Sequence, residues 1–114
     1  MTGYLTTHVL DTARGIPAAG LGITLYRLTT AGREMCATAR TNADGRTDTP
    51  ILDQAAFAPG EYELVFEAGA YLRAHGMSDD FLDVVPLRFR MVAQDHYHVP
   101  LLLSPFGYST YRGS

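Results

Sequence analysis

Apolar residues recur at alternate positions through most of this chain, in short runs broken by Gly, Pro, Asn and Asp. A period of two is the spacing of a β-strand with one buried face, and breakers at such intervals point to an all-β sandwich or barrel. Tyr4 to Asp11 is the first predicted strand, with Tyr4, Thr6, His8 and Leu10 on one face and Leu5, Thr7 and Val9 on the other. Thr12 to Pro17 reads as a loop. Leu21 to Leu28 alternates again, its core face being Leu21, Ile23 and Leu25, and Glu34 to Thr41 follows the Ala31-Gly32 turn. Glu61 to Glu67 has Tyr62, Leu64 and Phe66 inward and Glu61, Glu63 and Glu67 outward. The pattern loses its period of two only over Ala68 to His75, a short helix closed by Gly76. Phe81 to Val92 is a long strand, with Val85, Leu87, Phe89 and Met91 on one face and Arg88 and Arg90 on the other. Pro86 within it calls for a sheet edge or a bulge, because proline donates no ladder hydrogen bond.

The last twenty residues predict two more strands. His96 and His98 share one face, with Tyr97, Val99, Leu101 and Leu103 opposite; Leu102 sits on the histidine side. Ser104-Pro105-Phe106-Gly107 has the residues of a tight turn, after which Tyr108 to Arg112 folds back, with Tyr108 and Tyr111 on opposite faces. The sum is seven strands, with a short eighth expected after Arg46. Strands throughout with one late helix exclude the doubly wound α/β folds and predict a two-sheet antiparallel sandwich.

Composition narrows the setting. The 114 residues suit a single domain spanning 1–114, long enough to bury a core without staples. Only 18% of residues are charged against 46% hydrophobic, which predicts that other copies of the chain cover part of the surface. A net charge of −3 leaves no nucleic-acid footprint. The single cysteine, Cys36, forms no intramolecular disulfide, the first residues carry no signal-peptide pattern, and no apolar run is long enough for a membrane span. The expected location is the cytoplasm.

Four residues stand out chemically. His8 lies on the polar face of its strand. His96 and His98 together are either a satisfied polar patch, a metal pair, or acid–base groups, and His8 would be the third ligand of a metal site. Arg46 directly follows Asn42-Ala43-Asp44-Gly45, a strong turn signal, and is either a solvated loop residue or a fork for a planar, carbonyl-rich ligand. Cys36 has no assignable base beside it, Asp79-Asp80 is read as a loop, and there is no Gly-rich phosphate loop.

Three motifs resemble one family. Leu5-Thr-Thr-His-Val-Leu-Asp11, Thr41-Asn-Ala-Asp-Gly-Arg46 and the tail His96-Tyr-His-Val-Pro-Leu-Leu-Leu-Ser-Pro-Phe-Gly-Tyr-Ser-Thr-Tyr-Arg-Gly-Ser114 are similar, in order and spacing, to those of the 5-hydroxyisourate hydrolases. These are transthyretin-related enzymes of urate breakdown. The resemblance implies a transthyretin-like sandwich of two four-stranded sheets with a short helix. It implies a homotetramer, a dimer of dimers, with active sites at the dimer–dimer interface. It also implies cofactor-free and metal-free hydrolysis of 5-hydroxyisourate. Carried over by motif position, His8, Arg46 and His98 are catalytic, and His8, Arg46, Tyr111, Arg112, Gly113 and Ser114 bind substrate. Which of His8 and His98 is the base stays open. The other expectation is a non-catalytic small-ligand carrier of transthyretin type, which lacks counterparts of His8, His98 and the Tyr-Arg-Gly-Ser ending. A third is a metal-dependent hydrolase using His8, His96 and His98.

Overall fold

Leu5, Val9, Leu21, Ile23, Leu25, Leu64, Phe66, Leu101 and Leu103 are all buried at alternate positions of their segments, and this is what pairs the strands into two facing sheets. The computed structural model describes residues 2–113. In chain order the elements are β1 (Tyr4–Asp11), β2 (Ile16–Pro17), β3 (Gly22–Thr29), β4 (Gly32–Arg40), β5 (Gly60–Phe66), α1 (Ala68–Ala74), β6 (Val85–Met91), β7 (His96–Ser104) and β8 (Gly107–Thr110). One sheet has the order β2-β1-β7-β8 and the other β4-β3-β5-β6. Helix α1 buries Ala68, Tyr71 and Leu72. The Tyr71 hydroxyl donates to the buried Asp11 carboxylate at 2.8 Å, tying the helix to β1. Among the described residues no helix is long and apolar enough to cross a membrane.

The face assignments of β1, β3, β7 and the apolar side of β5 agree with the periodicity. Pro86 lies on β6, an edge strand, as its missing donor requires. Four expectations need correction. The sandwich is not wholly antiparallel, because β1 and β7 run parallel. The eighth strand is Ile16–Pro17, which pairs with Leu10 and Asp11; after Arg46 the chain makes only isolated bridges, His8 to Arg46 and Leu5 to Leu52. The strand predicted from Phe81 begins at Val85, since β5, its partner, ends at Phe66 opposite Val85 and the Asp83 carbonyl instead accepts the Gly69 amide of α1 at 2.6 Å. The last strand stops at Thr110 rather than Arg112, because Gly113 turns back to bridge His98.

Glu63 does point away from the core, yet it is only 5% exposed. Arg33, reaching over β3 from β4, and Arg88 from the neighbouring β6 clamp its carboxylate at 2.7 and 2.9 Å. The hydrogen bond from Arg88 holds the Glu63 carboxyl below its ordinary value; burial opposes this, and Arg33 adds to the lowering. Such a group contributes stability in full above the unfolded-state value, about pH 4.3, and loses it as the pH falls through the lower folded-state value. Glu63→Gln is therefore expected to lower Tm most at neutral pH, with the difference from wild type closing in acid. Thermal melts across that pH range check this, and a Tm gap independent of pH would count against the clamp.

Candidate active site

The parallel register of β1 on β7 sets Tyr4 opposite His96, Thr6 opposite His98 and His8 opposite Pro100. Successive even residues of both strands then face the same side of the sheet. The outcome is a polar strip on the outer face of this sheet, opposite the face that carries Leu5, Val9, Val99 and Leu101 into the core. Thr6 joins its two histidine neighbours, its hydroxyl lying 2.7 Å from His96 Nε2 and 2.7 Å from His98 Nδ1. Tyr4 stacks on His96 with ring centres 4.1 Å apart and planes within 6°.

Arg46 reaches this strip because of the turn before it. The Asn42 side-chain oxygen accepts the amides of Asp44 and Arg46, and the Asn42 amide donates to the Arg46 carbonyl at 2.7 Å. Gly45 adopts φ +75°, and a Cβ there would fall against the Val9 carbonyl oxygen. Only glycine lets this turn lie flat on β1. The Gly45 carbonyl accepts the Val9 amide at 2.8 Å, so Arg46 bridges His8. His8 Nε2 lies 2.8 Å from the Asp44 carbonyl, which only accepts. That nitrogen therefore carries a proton, and in the neutral ring Nδ1 is the free base.

A cleft of about 420 Å³ lies over the strip, lined by Tyr4, Thr6, Arg46, Thr47, His96 and His98 among others. Burial holds the His98 imidazole below the ordinary histidine value, and the positive charges of Arg46, His96 and His8 lower it further. His98 is thus neutral near pH 7, a proton acceptor beside a fixed guanidinium.

Of the residues singled out in the sequence, Arg46, His96 and His98 line this cleft; His8 does not line it but is bridged to Arg46, and the Gly113 amide lies 2.7 Å from the His98 carbonyl. Tyr111 and Arg112 go elsewhere within the chain. They line a second, more apolar groove of about 340 Å³ with Pro86, Phe89, Tyr97 and Val99, between the edges β6 and β8. Arg112 lies over the Tyr97 ring at 4.3 Å and pairs with Asp95 at 3.0 Å. Neither Tyr108 nor Tyr111 is a core residue; they are 45% and 59% exposed. Ser114 lies outside the described residues. Among those described, no three His, Cys, Asp or Glu side chains are grouped to hold a metal ion, so His8, His96 and His98 do not form a ligand set. Thr6 and Tyr4 are site residues that sequence reasoning passed over, although their place on the His8 face was the available signal.

Known proteins resemble this chain over nearly its whole length. The model of the HIUase/Transthyretin family matches residues 5–113. A protein of Mesorhizobium japonicum named 5-hydroxyisourate hydrolase is 62% identical over 115 residues, covering 98% of this chain and 93% of that one. The crystal structure of (S)-allantoin synthase superposes with a TM-score of 0.91 at 44% identity; the match covers 98% of this chain but 44% of that longer one. Sea bream transthyretin in complex with thyroxine superposes with a TM-score of 0.88 at 29% identity, covering 96% of this chain and 93% of that one.

The approach of the tail to β7 is tight: a Cβ at Gly113 would lie 2.6 Å from His98 Cδ2. Gly113→Ala is expected to displace either the tail or the imidazole, read as a shift of the His98 ring-proton resonances. Tm should change little, since Gly113 touches the rim and not the core. Unmoved His98 resonances would show that the tail does not hold this position in solution.

Proposed function

The chain belongs to the HIUase/Transthyretin family, and from that premise we propose that it hydrolyses 5-hydroxyisourate to 2-oxo-4-hydroxy-4-carboxy-5-ureidoimidazoline, a step of urate breakdown. The observation that carries the proposal is the convergence of β1, the turn ending at Arg46 and β7 on one cleft that holds two imidazoles and a guanidinium.

Each group has a role that follows from its surroundings. His98, kept neutral by burial and by Arg46, takes a proton from water as that water attacks the ring carbonyl. Arg46 meets the negative charge that grows on the attacked oxygen, a contribution of about 3 kcal/mol for such donors. Its planar fork also suits the flat, carbonyl-rich ring of the substrate. His8, its Nε2 proton held by the Asp44 carbonyl, orients the ring through its free Nδ1, and the proton taken up by His98 goes on to the leaving nitrogen. The reaction needs no metal and no cofactor in this scheme.

The working form is a homotetramer, a dimer of dimers, with this cleft at the dimer–dimer interface. Support comes from the large apolar side chains left exposed on the single chain, Phe106, Tyr108, Tyr111 and Val92 among them. Tyr111, Arg112, Gly113 and Ser114 complete the substrate site in that assembly, a role that the bond from the Gly113 amide to His98 supports.

A carrier function is the second reading, favoured by the likeness to a thyroxine-bound transthyretin. One assay separates the two: 5-hydroxyisourate is generated with urate oxidase and its ultraviolet absorbance followed. The protein is expected to speed the decay, and binding of the compound without faster decay would leave the carrier. His98→Ala and Arg46→Ala are each expected to lower kcat about a hundredfold or more while the tetramer persists in sedimentation. Because the His98 pKa is depressed, its basic form survives to lower pH. The acid limb of kcat/KM is expected below the ordinary histidine value of about 6.5, and a limb above it would point to another base.

A further inference from the structure

The Thr6 hydroxyl lies 2.7 Å from a ring nitrogen of each of two histidines, yet it has a single proton to give. At most one of His96 Nε2 and His98 Nδ1 accepts from it; the other must be protonated and donate. The three groups therefore form a directed chain, with two senses related by proton shifts alone. In one sense His98 carries its proton on Nδ1, Thr6 donates onward to His96, and His98 Nε2 presents a lone pair. In the other, His98 Nε2 carries the proton and is no base at all. The sense chosen at Thr6 decides which face His98 shows the cleft.

We propose that Thr6 and His96 are positioning residues, which hold His98 in its basic tautomer and relay the proton it takes up away from the cleft. The inference rests on the hydrolase reading. As water attacks, its O–H bond breaks and the proton goes to His98 Nε2. The Nδ1 proton passes to Thr6 Oγ1, the Thr6 proton passes to His96 Nε2, and hydroxide forms the new C–O bond. When the ring C–N bond breaks, the same steps in reverse deliver one proton to the leaving nitrogen and restore both imidazoles. One water has then been added across the C–N bond, with no net change in the protein.

The surroundings favour charge on the far end of the chain. Arg46 and His8 face His98 from the turn and from β1, so an imidazolium there meets two positive neighbours as well as burial. His96 stacks on the Tyr4 ring and sits beside Asp95. Arg112 holds the Asp95 carboxyl below its ordinary value, and the His96 backbone amide and ring charge lower it further. The aromatic stack in turn fixes the His96 plane that Thr6 needs.

The test compares Thr6→Val, which keeps the shape and removes the hydroxyl, with Thr6→Ser, which keeps the hydroxyl, and with His96→Gln. Thr6→Val is expected to lower kcat roughly tenfold to a hundredfold with KM little changed, the scale of a misaligned catalytic group. Thr6→Ser is expected to stay near wild type. His96→Gln removes a positive neighbour of His98 and is expected to move the acid limb of kcat/KM to higher pH. Wild-type kcat in Thr6→Val, equal loss in Thr6→Ser and Thr6→Val, or an unmoved limb in His96→Gln would overturn the relay. Nitrogen-15 shifts of histidine-labelled wild-type protein decide it independently of folding in the variants and of the substrate. Near pH 7, His98 Nδ1 should be protonated and His96 Nε2 not, and the reverse pattern would overturn the proposal. Free tautomer averaging at either ring would overturn the proposal, whereas lack of turnover by wild type would sink the hydrolase reading alone.

Discussion

The pairing of β1 with β7 is the constraint on which the site depends. It is the only parallel pairing in the described sheets, and it joins residues about ninety positions apart: Thr6 and His98 are separated by 92. Parallel strands have evenly spaced ladders in which a given residue stays opposite one partner. A shift of one residue would turn Thr6, His8 and His98 into the core and Leu5, Val9 and Val99 out into water. The apolar side of the two strands therefore fixes the register of the polar side. Burial of Leu5, Val9, Leu101 and Leu103 is what brings the imidazoles to the same cleft.

Much of this was legible in the chain because local periodicity reports burial. The even and odd faces of β1 and β7, the inward Tyr62, Leu64 and Phe66 of β5, the helix near Ala68 and the edge position of Pro86 all follow from spacing and from proline chemistry. Partner choice was not legible. Nothing in Tyr4 to Asp11 says that its neighbour is ninety residues away or runs parallel to it. A two-residue strand such as Ile16–Pro17 has no periodicity to detect. Glu63 reads as solvated because alternation marks direction only, and the two arginines that cover it come from separate strands.

The site was legible in part for the same reasons. Arg46 could be placed after a rigid turn, since Asn42 and Gly45 announce it, and the docking of that turn on β1 then supplied the contact with His8. Tyr111 and Arg112 adjoin Gly113 in sequence but part from it in space: past the end of β8 both line the groove at the β6 edge, while the Gly113 amide returns to His98. Thr6 was hidden by its ordinariness. A threonine on a strand is unremarkable until two imidazoles are found on either side of its hydroxyl.

The long-range pairing also bears on how the protein is made. During synthesis β1 leaves the ribosome early, while the strand that completes its sheet comes last; the interim partner is the two-residue β2 alone. Non-local pairing of this kind slows folding and leaves an apolar strand edge open to association with other nascent chains. No fragment ending before His96 has the scaffold that sets His8 in place. Truncation, a stalled ribosome or a premature stop ahead of His96 would thus abolish the active centre as a whole.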